Sequence, residues 1–187
     1  MDFPPPGKRI TIRGLSGSGK TTLGRQLSQI LDIPHVEMDE LFWKPNWTHS
    51  NDEEFFPKLE GIIKTESWIL CGNYSRSRHI IDPRADTVIW LDYPFWFTMS
   101  RLVRRCIIRG AKKEMLWGHC QESFRTAFIG KDAIVWWIVR YRKRMKINMT
   151  NLFNNPESGK VYIRFRSPTE TKLWLSSLTV RIGKMWV

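Results

Sequence analysis

The stretch IRGLSGSGKTTL, residues 12–23, limits what this chain can fold into more than any other feature. Gly14, Gly19, Lys20 and Thr21 match G-x-x-x-x-G-K-S/T, with Gly17 as a further glycine inside the loop. Such a loop grips phosphate because backbone N–H groups converge at a helix N-terminus, where side chains would block the approach and the helix dipole favours negative charge. The pattern makes Gly14, Ser16, Gly17, Ser18, Gly19, Lys20, Thr21 and Thr22 the nucleotide-binding residues. Lys20 would reach the terminal phosphates and Thr21 would set its hydroxyl on Mg²⁺. ATP with Mg²⁺ is therefore the expected ligand. The reaction is left open, because GTPases, motor ATPases, helicases and small-molecule kinases all use the same loop.

The surrounding pattern supplies the strand and helix that the loop requires. KRITIRG (8–14) alternates apolar and polar residues, as a strand does, and Leu23, Leu27, Ile30 and Leu31 recur at helical spacing after it. PHVEMDELFW predicts a short second strand with Asp39 at its C-terminal end. SNDEEFFPKLEGII predicts a helix opened by a capping box from Ser50 to Glu53. SWILCG and DTVIWLD read as strands buried on both faces, and KVYIRF as a fifth. SPTETKLWLSSL predicts a last helix capped by Ser167, with Pro168 in its first position and Glu170 closing the box. Strands alternating with helices predict an α/β fold with a five-stranded parallel sheet, and 187 residues suit a single domain.

From Pro94 the chain turns helical and basic. FWFTMSRLVRRCIIRGAKK places Arg101, Arg105 and Arg109 four residues apart, and AIVWWIVRYRKRMK (133–146) is a second basic helix. Residues 1–98 carry 11 Lys/Arg against 13 Asp/Glu, a net of −2, whereas residues 99–187 carry 19 against 5, a net of +14. This asymmetry fits a polyanionic ligand, nucleic acid or an acidic membrane surface as partner, or a solvated basic face. Cys71, Cys106 and Cys120 are odd in number and match no zinc or redox spacing, so reduced thiols in the cytoplasm are expected. The longest apolar run, AIVWWIV, is far short of the ~20 residues that span a bilayer, and the N-terminus lacks the apolar core of a secretory signal.

GLSGSGKTTL, VEMDELFWKPNW, WILCGNYSRSR, RADTVIWLDYP, RLVRRCIIRG, WGHCQESF and VYIRFRSPTE occur in the order found in one known group. Over residues 8–178 the chain resembles the adenylate-kinase-like P-loop proteins of the DNA topology modulation (FlaR-related) group. The resemblance implies a nucleoside-monophosphate-kinase-like three-layer fold, strand order 2-3-1-4-5, with a basic helical lid at about 97–146. It implies a phosphoryl transfer from ATP to a small-molecule acceptor. Lys20, Asp39, Arg101, Arg105 and Arg109 would be catalytic, with Asp39 facing the acceptor and the arginines closing over the transferring group. The Gly72–Ser75 loop would lie beside the phosphates, and Ser167 and Pro168 near the adenine.

One position departs from that pattern. Similar proteins carry an aspartate before Gly-Asn-Tyr, where this chain has Cys71, and a neutral thiol cannot orient metal-bound water as a carboxylate does. Asp39, and after it Asp92, are the candidates for the charge beside Thr21 at the metal. Arg76 and Arg78, just past GNYS, either hold an acceptor anion or stand as solvated loop charges. A second reading of the whole chain is a nucleotide-dependent module whose basic half, with Arg142, Lys143 and Arg144, binds nucleic acid.

Overall fold

The computed structural model describes residues 3–121, 124–129 and 133–183. Five strands form one parallel sheet: β1 (Arg9–Gly14), β2 (His35–Glu37), β3 (Trp68–Cys71), β4 (Thr87–Leu91) and β5 (Val161–Phe165), in the order β2-β3-β1-β4-β5. The helices are α1 (Lys20–Leu31), α2 (Met38–Phe42), α3 (Asp52–Ile63), α4 (Arg78–Ile81), α5 (Phe95–Lys112), α6 (Phe124–Phe128), α7 (Ile134–Asn154) and α8 (Pro168–Gly183). Fold class and strand order are those expected.

Alternation along each strand sends neighbouring residues to opposite faces. Ile10, Ile12, Ile69, Cys71, Ile89, Leu91, Ile163 and Phe165 pack with Leu23 and Leu27 of α1 and with Trp174, Leu175 and Leu178 of α8. The other face carries Trp68 and Leu70 against α3 and α4, and Val88 and Trp90 against Met145 and Met149 of α7. The first turn of α8 is capped as expected, Glu170 N–H donating to Ser167 Oγ at 3.2 Å.

Three local expectations shift. β2 ends at Glu37, so Asp39 lies in the first turn of α2 rather than at a strand end. α3 is capped by Asn51, whose side chain accepts from Glu54 N–H at 2.9 Å, while Ser50 Oγ turns inward to Leu41 O at 3.1 Å. α7 runs on to Asn154, because Met145, Met149 and Leu152 continue its apolar stripe beyond the basic run.

The segment expected to be a lid is anchored at its start. A Cβ on Gly17 would lie 2.2 Å from Thr98 O, so α5 rests directly on the phosphate loop, with Leu102 wholly buried beneath it. Further along, a two-residue ladder, Met115–Leu116 with Cys120–Gln121, meets a similar ladder formed by Trp43–Lys44 and Thr48–His49. Trp47 Nε1 donates to Gln121 O at 2.8 Å, and His119 Nε2 lies 2.8 Å from Trp43 O. Residues 122–123 and 130–132 of the expected lid lie outside the described residues.

Candidate functional site

β1 delivers the chain to Gly14 at the C-terminal edge of the sheet, where ligands of parallel α/β sheets bind. Gly17 and Gly19 hold φ values of 85° and 94°, in the left-handed region that glycine enters freely, and Gly19 caps α1. Lys20 opens α1 and folds back over the loop, its Nζ donating to Gly14 O at 2.9 Å and Leu15 O at 3.3 Å. Desolvation lowers the Lys20 pKa; Asp39, Cys71 and Glu37 oppose that shift and Arg105 adds to it. Lys20 thus stands among the groups that any transferred phosphate would meet.

Thr21 Oγ1 donates to Glu37 Oε2 at 3.0 Å, and Arg25 Nη2 holds the other carboxylate oxygen at 2.9 Å. Glu37 was absent from the expected set. It sits at the end of β2, directly opposite Cys71 in the ladder with β3, so a carboxylate stands one strand over from position 71. The legible signal was the spacing of Glu37 and Asp39 in VEMDE: two acids bracketing Met38, which is buried.

Cys71 itself belongs to the packing under α1. Its Sγ donates to Lys20 O at 3.3 Å and lies 3.1 Å from His35 Nε2. Burial pushes its thiol far above the ordinary range, so it stays protonated. A Cβ on Gly24 would fall 2.7 Å from that sulfur, and a carboxylate there would be buried against the helix.

Asp39 projects from α2 and accepts from Tyr74 O–H through Oδ1 at 2.7 Å. Burial, and then Asp39, raise the Tyr74 pKa far beyond the ordinary range, so the phenol remains a donor. Asn73, next door, clamps the loop root by donating from Nδ2 to Gly14 O at 2.6 Å and accepting from Gly14 N–H at 3.2 Å. GNYS is therefore the brace between phosphate loop and acid. Phe42, Phe55 and Tyr74 pack ring to ring behind Asp39, and the Arg76 guanidinium lies 4.9 Å from the Phe42 centroid, paired with Asp52 at 2.8 Å.

The three arginines of α5 part company. Arg101 Nη2 lies 3.9 Å from where a Cβ on Gly19 would be, with its guanidinium 5.5 Å from the Phe97 ring. Arg105 acts on Lys20, and its buried Nε has no partner among the described residues. Arg109, a turn further from the loop, reaches Glu114 at 3.5 Å and falls outside the group.

From Arg101 a continuous row leads to the expected adenine end. Phe97 meets Tyr93 at 6.0 Å between centroids, Tyr93 Oη lies 2.6 Å from Thr171 Oγ1, and Thr171 Oγ1 donates to Ser167 O at 3.3 Å. Ser167 joins this row through its backbone carbonyl. Ser18 Oγ is buried without a partner among the described residues.

Asp92, the second candidate expected at the metal, is engaged in ion pairs. It follows Leu91 on the face that β4 turns to α7, opposite α1, and is held by Lys146 at 2.6 Å and by Arg164 at 2.9 and 2.6 Å. Strand alternation puts it across the sheet from Thr21.

No known family model matches the sequence. The uncharacterized protein YqaC of Bacillus subtilis (strain 168) is 29% identical over 121 residues, spanning 64% of this chain and 68% of that one. Shikimate kinase from Bacteroides thetaiotaomicron superposes with a TM-score of 0.54 at 14% identity, covering 96% of this chain and 98% of its own. Shikimate kinase from Acinetobacter baumannii, in complex with shikimate, gives 0.52 at 15%, covering 95% and 94%. At these identities the likeness is one of fold: an α/β domain built like P-loop kinases. None of the helices among the described residues is long and apolar enough to cross a membrane.

Proposed function

We propose that this chain is a small-molecule kinase that transfers the γ-phosphoryl group of ATP to a hydroxyl-bearing acceptor. The observation that carries the proposal is the hydrogen bond from Thr21 to Glu37 beside Lys20, with Asp39 facing the same space. A loop that only stored a nucleotide would not need a second, oriented carboxylate two residues from the first.

The residues fit ATP with Mg²⁺. Thr21 and Glu37 are the hard oxygen donors that Mg²⁺ takes, and the backbone N–H groups of the glycine loop at the head of α1 suit phosphate. Bound Mg²⁺ would offset phosphate charge. Lys20 would give up its contacts with Gly14 O and Leu15 O for the terminal phosphates. Arg101 and Arg105 add always-charged donors on the other wall. Tyr74 fixes one oxygen of Asp39, leaving Oδ2 to orient the acceptor hydroxyl and take its proton as the new O–P bond forms. The row from Phe97 through Tyr93 to Ser167 supports a base site at that end. Both superposed structures are shikimate kinases, a likeness of fold that is compatible with this reading without naming the acceptor here.

The test is a screen of acceptors with γ-labelled ATP beside a no-acceptor control. Lys20→Ala is expected to lower turnover by about 10³-fold or more, and Asp39→Asn strongly while sparing ATP binding. Variants that turn over a validated acceptor like the parent would refute the assignment.

A second reading draws on α7. Trp136 and Trp137 are exposed, Trp137 stacks on Tyr141 at 4.5 Å, and Lys143 and Arg144 face solvent, a mixture that suits single-stranded nucleic acid. Arg142 is instead drawn over the Phe95 ring at 4.0 Å. This reading requires affinity that falls steeply with log salt and drops on neutralising Lys143 and Arg144.

A further inference from the structure

Beneath the Gly72–Tyr74 brace lies a small cavity of about 10 Å³, lined chiefly by Thr11, Arg13, Asn73, Tyr74, Arg78 and Ile81. Arg13 comes from the strand residue just before the phosphate loop, and its side chain is only 4% exposed. One of its amino groups pairs with Asp82, while Nη1 is buried with no partner among the described residues. Arg78, at the start of α4, likewise keeps Nε and Nη2 buried and unpartnered, and so does Thr11 with its hydroxyl. Among the described residues Asp82 is the carboxylate that faces these two guanidinium groups, with the neutral Tyr141 phenol also beside Arg78, so two positive charges meet one negative.

The unmet groups decide what fits. Three are guanidinium N–H atoms, which can only donate, and the fourth is a hydroxyl that can. A water molecule would bring no charge to offset the second guanidinium group. An anion can accept from such donors and supplies the missing charge. The volume excludes phosphate and is close to the least that one water needs, so a chloride-sized ion enters only as the Arg13 and Arg78 side chains give by a fraction of an ångström.

From this geometry we infer that the Arg13–Arg78 pocket is a binding site for one compact monovalent anion, chloride-sized, set under the floor of the acceptor site. The anion locks the root of the phosphate loop, because Arg13 precedes Gly14 and Asn73, which lines the pocket, is bonded to Gly14 on both sides. Burial, and then Arg13, depress the Arg78 pKa, the direction expected of two cations sharing one pocket. The inference is independent of which reaction the site above performs.

The experiment is thermal unfolding of the full chain in sodium chloride against sodium gluconate at matched ionic strength, gluconate being too large to enter. The melting temperature should climb with chloride, by about 3 °C or more per tenfold rise above the dissociation constant. In Arg78→Met, which keeps the volume and removes one cation, the two salts should give the same curve, with the gluconate midpoint no lower than the parent's. Crystals grown in bromide should show an anomalous peak between Arg13 and Arg78. Equal midpoints in both salts for the parent, a chloride dependence that survives Arg78→Met, or bromide absent from the pocket would each overturn the site.

Discussion

The two faces of the central sheet are built on different physics. The face under α1 and α8 is dry: Ile10, Ile12, Ile89, Ile163 and Phe165 are wholly buried among apolar side chains. The opposite face mixes Val88, Trp90 and Leu70 with Arg13, Asp82, Asp92 and Arg164, held by ion pairs. The dry face carries α1 and the phosphate loop, where a fixed backbone is the whole requirement. The charged face lies toward α4 and α7. Rigidity comes from burial on one side, and charge is kept available on the other at the cost of desolvating it.

This contrast can be broken first by removing Asp82. Asp82→Ala leaves Arg13 buried without its acid and should cost about 4 kcal/mol in a denaturant titration, whereas Arg13→Met with Asp82→Leu should return to within about 1 kcal/mol of the parent. Equal losses for single and double variants would mean that the charged face is held by shape rather than by charge. On the dry face Ile12→Ala should cost about 3 kcal/mol through the cavity it opens, with no salt dependence. The smallest effect concerns His35, half-buried between Cys71 and α1. Desolvation lowers its pKa below the ordinary 6.5, so the unfolded chain binds the extra proton more readily. Stability should therefore decline gently as pH falls through 6.5, and His35→Gln should flatten that decline.

The dry face was legible in the sequence because RITIRG, SWILC and TVIWL obey strand periodicity and need no distant partner. The charged face was not: Arg13 finds Asp82 across 69 residues and Asp92 finds Arg164 across 72, pairings no local pattern encodes. Near the candidate site, the glycine loop that joins β1 to α1 and sets Lys20 and Thr21 at the head of that helix was readable from the motif, whereas Asp39, expected at a strand end, lies in α2. Glu37 escaped because a three-residue strand gives too short a period to show which of three acids in VEMDE faces Thr21. Arg109 was grouped with Arg101 and Arg105 by helical spacing, which cannot see Glu114 reaching back to it.

The central claim is that Glu37, not residue 71, supplies the carboxylate on the metal side of the phosphate loop. Calorimetric titration of ATP with and without Mg²⁺ tests it without knowledge of the acceptor. Glu37→Gln should weaken Mg·ATP binding about tenfold or more while leaving metal-free ATP unchanged, and Cys71→Ser should alter neither. Full Mg·ATP affinity in Glu37→Gln, or its loss in Cys71→Ser, would contradict the account.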